Sequence, residues 1–97
     1  MTLTEFKATL SAPAPPPGSS AVLTALWHDA RGGWDAAHGV AQDIDGPDGA
    51  WIHAYLHRKE GDASNAAYWY RRAAKPVAST SLEAEWNAIA TALLGST

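Results

Sequence analysis

WIHAYLHRKEGDASNAAYWYRRAAKP, residues 51–76, reads as two helices parted by a single glycine. Trp51, Ile52, Tyr55 and Leu56 recur at the spacing that gathers side chains on one side of a helix. Gly61 stops that helix, because a left-handed residue there closes the last turn at no steric cost. Asp62 or Ser64 then offers a side-chain oxygen to the free amides of the next helix, which reaches Ala74 before Pro76 forbids continuation.

The same grammar extends outward. Ser19 or Ser20 caps a helix through Ala21, Val22, Ala25, Leu26 and Trp27 to Arg31, where Gly32-Gly33 ends it, and a further helix fits Trp34 to about Ile44. DIDGPDG at 43–49 predicts a turn, and the next helix is expected from Ala50 to Glu60. Downstream, Ser-Leu-Glu-Ala-Glu at 81–85 is a capping pattern that opens a last helix carrying Leu82, Trp86, Ile89, Leu93 and Leu94. Upstream, Thr2 or Thr4 caps a short helix with Leu3, Phe6 and Leu10 on one side, followed by Pro13, Pro15, Pro16, Pro17 and Gly18, a stiff spacer. No useful length alternates with period two, so the expectation is an all-α chain: an N-terminal arm with a Pro-rich linker at 1–18 and one helical domain at 19–97.

Placing Gly32 on Gly61 aligns Ala25 with Ala54, His28 with His57, Ala37 with Ala66 and Ala41 with Tyr70, each pair 29 residues apart. Either a duplicated hairpin or chance likeness between two amphipathic helix pairs produces such a match. Gly61, Ala66, Tyr70, Ala73 and Pro76, with the string AYWYRRAA at 67–74, resemble the second half of a tetratricopeptide or Sel1-like repeat. The spacing of 29 is shorter than the usual ~34 residues of that family. The resemblance implies two antiparallel hairpins, a C-terminal capping helix and a scaffold for protein contacts. WIHAYLHRKEGD at 51–62 is also similar to a group of small bacterial proteins, a likeness that implies no activity.

Composition narrows the function classes. A chain of 97 residues holds one core, and five Trp with three Tyr provide large side chains to fill it. No cysteine is present, which excludes disulfides, thiolate metal ligands and a thiol nucleophile. There is neither a signal-peptide pattern nor an apolar run long enough for a membrane helix, and a cytoplasmic protein is expected. The net charge of −3 is uneven: residues 1–50 carry two basic and six acidic side chains, residues 51–97 five basic and four acidic. An acidic chain argues against nucleic acid as partner, although Arg58, Lys59, Arg71, Arg72 and Lys75 gather in the second half.

Three groups of residues are candidates for function. The first is His53, His57 and Glu60, spaced at one-turn intervals on a helix, with His28 added through the 29-residue alignment; imidazoles and a carboxylate so placed suit zinc or another divalent metal. One helical register turns these histidines to water, whereas the repeat-like register turns them onto the neighbouring helix as buried, hydrogen-bonded groups. Ala54 stands where a zinc peptidase of the His-Glu-x-x-His type needs its glutamate, so that chemistry is not expected. The second group is Asp35 and His38, three residues apart, an acid–base pair or simply a helix-dipole aspartate beside an incidental histidine. The third is a protein-binding surface from Trp51, Tyr55, Arg58, Arg71 and Arg72, since aromatics and arginine dominate contact hot spots; the competing reading makes Trp51 and Tyr55 core. Apolar surface left over by so many tryptophans also points to a homodimer.

Overall fold

The computed structural model describes residues 1–95, whose regular elements are all helices with no strand among them. α1 (Leu3–Ala8) leads through a 3₁₀ turn at Thr9–Ser11 and the proline-rich segment to α2 (Ala21–Ala30). α3 (Trp34–Ala41), α4 (Pro47–Glu60), α5 (Ala63–Ala73) and α6 (Leu82–Gly95) follow. No helix among the described residues is long and apolar enough to cross a membrane.

Local chemistry accounts for most boundaries. Thr2 and Glu5 form a reciprocal capping box at α1, and Ser20 and Ser81 accept from Leu23 N and Ala84 N at 3.2 and 3.0 Å. Asp62, rather than Ser64, caps α5 by accepting from Asn65 N at 3.2 Å. The expected turn over 43–49 is shorter than its composition suggests, because α4 starts at Pro47 and takes in Asp48 and Gly49. Proline breaks a helix only in its interior; at the first position its missing amide costs nothing and its fixed φ suits the helix. Gly49 serves packing. A Cβ there would lie 2.4 Å from the carbonyl oxygen of Ile44.

The turns after α2 and α4 are closed by equivalent bonds. Gly33 N donates to His28 O at 2.8 Å, as Asp62 N does to His57 O at 2.9 Å, and Gly32 and Gly61 take φ of 80° and 91°. Both turns thus use a left-handed glycine to satisfy the last carbonyls of the helix. Ala25 and Ala37 on one helix pair, and Ala54 and Ala66 on the other, are buried, so the backbones of α2 and α3, and of α4 and α5, approach closely.

α4 lies at the centre, touching α2, α3, α5 and α6. Ile52, Tyr55 and Leu56 carry its apolar side into a core with Phe6, Leu26, Trp27, Trp86, Ile89 and Leu93. The N-terminal segment belongs to this core: Phe6 is fully buried and stacks on Trp86 of α6, with ring centroids 5.9 Å apart. Indole N–H groups fasten the layers, with Trp27 donating to Thr9 O, Trp34 to Leu56 O and Trp86 to Leu26 O at 3.1, 2.8 and 3.1 Å. Two carboxylates are buried with partners, as burial of charge requires. Asp29 accepts from Tyr55 and Lys59, while Glu85 accepts from Arg58 and Tyr70. Burial, reinforced by the neighbouring carboxylates, pushes both tyrosine hydroxyls well above their usual range, so they remain donors.

Candidate metal centre

Helical spacing delivers two histidines to one side of α4, and the packing of α3 on α4 brings a third. His53 and His57 are buried one turn apart, with rings stacked at 4.8 Å and 21°. His38 projects from α3 to meet them: its Nε2 lies 3.0 Å from Nε2 of His53 in a hydrogen bond in which one ring donates and the other accepts. One ligand atom from each of His38, His53 and His57 falls within 4.8 Å of the others.

Two tryptophans wall the cluster. Trp34 stacks on His38 at 4.9 Å and 9°, and its N–H bond to Leu56 O fixes the ring over α4. Trp69 of α5 stacks on His53 at 3.9 Å and 11°, so His53 is held between an indole and an imidazole. Glu60, one turn past His57, places Oε2 2.5 Å from His57 Nδ1. That leaves Nε2 of His57 for the cluster, with a carboxylate behind the ring as metal-binding histidines commonly have. Glu60 and His57 also form a group with Asp62, whose carboxylate is exposed and occupied as the cap of α5.

Electrostatics favour a neutral ring at His53. Burial first, then the proximity of His38 and His57, lower the His53 imidazole to about 4. A neutral imidazole keeps a lone pair that protonation removes, which is the state a metal needs. The same shift sets a pH dependence for the metal-free protein. Below about pH 6.5 the unfolded chain takes up a proton on His53 that the fold refuses until about pH 4. Stability is therefore complete above pH 6.5 and falls as pH drops toward 4. Urea unfolding in chelator at pH 7.5 and 4.5 should show about 2 kcal/mol of this loss in the wild type and lack it in His53→Gln.

His28, included in the sequence-derived metal set, does not join the cluster; it packs edge-on to Trp27, with ring centroids 5.2 Å apart. Residues related by the 29-residue offset occupy equivalent places on two different helices, so His28 sits beside its own turn rather than beside His57. His38, weighed in the sequence only with Asp35, takes its place; Asp35 is exposed and the histidine instead contacts Trp34 and His53. Trp34 and Trp69 carried no functional signal in the sequence beyond the four-residue step from Trp34 to His38.

The residues considered for a protein-binding surface are mostly engaged inside the molecule. Tyr55 is 2% exposed and donates to Asp29 Oδ2, so it is core. Arg58 Nη1 donates to Glu85 at 2.8 Å and Nη2 donates to the Thr80 carbonyl, which ties α4 to the start of α6. Trp51 is half-buried beneath Lys75, whose ammonium lies 4.3 Å from the ring centroid. Arg71 and Arg72 are exposed. No protein-family model matches the chain, and no curated protein or solved structure matches it significantly.

Proposed function

We propose that this chain binds a divalent transition metal of the zinc class through His38, His53 and His57, with Glu60 orienting His57. The supporting observation is the convergence of three imidazoles from two helices within 4.8 Å. Zn–N bonds of about 2.05 Å at tetrahedral angles separate nitrogens by about 3.4 Å. The 3.0 Å pair is close to that span, and small side-chain rotations bring in the third. Three nitrogens leave a fourth position for water or another ligand. Metal-dependent catalysis would need a base beside that position, and Glu60 is already spent on His57.

Thermal unfolding of chelator-treated protein tests the proposal. Zinc at about a hundred times its dissociation constant stabilises by about 2.7 kcal/mol, so Tm should rise by about 10 °C or more. His38→Gln and His57→Gln should lose this rise, while His28→Gln keeps it. A wild-type Tm indifferent to zinc, cobalt and nickel overturns the reading.

A second reading, a protein-interaction module built on two tetratricopeptide-like hairpins, is supported by the equivalent turns at Gly32 and Gly61. With Tyr55 and Arg58 engaged internally, its partner-binding surface would centre on Arg71, Arg72 and the exposed Tyr68.

A further inference from the structure

A cleft of about 230 Å³ opens beside His53, between the end of α3, the start of α4 and the face of α5. Asp45, Gly46, Gly49, His53, Trp69 and Arg72 are among the residues that line it. Three features of its wall suit a small carboxylate. Arg72 is held in place by its bond to Tyr68 Oη at 2.9 Å and by the Trp69 ring 5.3 Å away, and has no carboxylate partner among the described residues. Gly46 offers the first turn of α4 no capping side chain, so amides at that end lack a side-chain acceptor. His53, only 7% exposed, spends Nε2 on His38, and its Nδ1 has no hydrogen-bond partner among the described residues.

The last feature matters because of what His57 has. A metal-bound histidine ordinarily donates its second N–H to a carboxylate or carbonyl, which fixes the tautomer and strengthens the ligand. Glu60 stands beside Nδ1 of His57 in this way, whereas the corresponding nitrogen of His53 is left for a molecule in the cleft. We infer that the cleft takes a small monocarboxylate, which accepts from His53 Nδ1–H and pairs with Arg72, and that its binding raises metal affinity. By linkage, metal raises carboxylate affinity by the same factor.

The inference rests on the metal reading, and its test separates the two. Cobalt is titrated into metal-free protein and followed by its visible absorption, in acetate and in chloride of equal ionic strength, while calorimetry measures acetate binding without metal. The expected result is acetate binding to the metal-free chain and an increase in cobalt affinity of about tenfold. Arg72→Gln should lose both effects and keep cobalt binding in chloride. Cobalt affinity unaltered by acetate overturns the linkage and leaves the metal site standing. An acetate effect that survives Arg72→Gln also overturns it, since acetate would then be ligating the metal directly. Acetate binding with no cobalt absorption under any condition sinks the metal reading itself.

Discussion

Glu85→Ala should cost about 3–5 kcal/mol of folding stability, lowering Tm by about 15 °C or more. The carboxylate is 4% exposed and holds two donors, Arg58 Nη1 at 2.8 Å and Tyr70 Oη at 2.6 Å. Truncation leaves the buried Tyr70 hydroxyl without its acceptor and leaves the Arg58 guanidinium, 21% exposed, with only the Thr80 carbonyl. Breaking one side of such a buried arrangement is far costlier than the net worth of the pair, because the desolvation of the survivor is no longer offset. Glu85→Gln retains an acceptor of nearly the same shape and should cost roughly half as much, and Tyr70→Phe about 1–2 kcal/mol. Urea unfolding of the three variants in chelator checks the order; equal midpoints for Glu85→Ala and the wild type would show that the carboxylate holds nothing together.

The second large effect is expected at the other end of the chain. Phe6 sits in a six-residue helix that has no stability of its own, yet its ring is fully buried against Trp86. Phe6→Ala should cost about 3–5 kcal/mol, the transfer energy of the ring plus the cavity that stays behind. Leu10→Ala, at a partly buried position, should cost about 1 kcal/mol. A further effect accompanies the first substitution: with α1 loosened, Arg31 loses its ordered acceptors at Leu10 O and Ala12 O. Amide hydrogen exchange should then accelerate over residues 3–12 well before the rest of the molecule, and a variant exchanging like the wild type there would contradict this account.

Helices were legible in this sequence because their signals are local. Serine and aspartate caps, apolar spacing and left-handed glycines act within a few residues, and they mark α2, α5 and α6 closely. Gly46-Pro47 misled because the same residue types that interrupt a helix also start one, and only the φ of 92° at Gly46 and the packing of Ile44 on Gly49 decide between them. The metal candidates were half legible. His53 and His57 share a helix face by arithmetic, but their third partner depends on which helix lies alongside, which is a tertiary fact. Repeat alignment pointed to His28; contact between α3 and α4 selects His38. The roles of Asp29 and Glu85 were illegible for the same reason. Glu85 reads as an acid suited to a helix start, and nothing local says that Arg58 and Tyr70, 27 and 15 residues earlier, will close on it.

The stacking of Phe6 on Trp86 joins the first helix to the last, and this dictates an order of events on the ribosome. While α6 is still inside the exit tunnel, Phe6, Leu26 and Leu56 lack the side chains of Trp86 and Ile89 that complete their core. Those side chains are natural targets for a chaperone that grips oily segments, and final sealing waits for the segment around Ile89 to leave the exit tunnel.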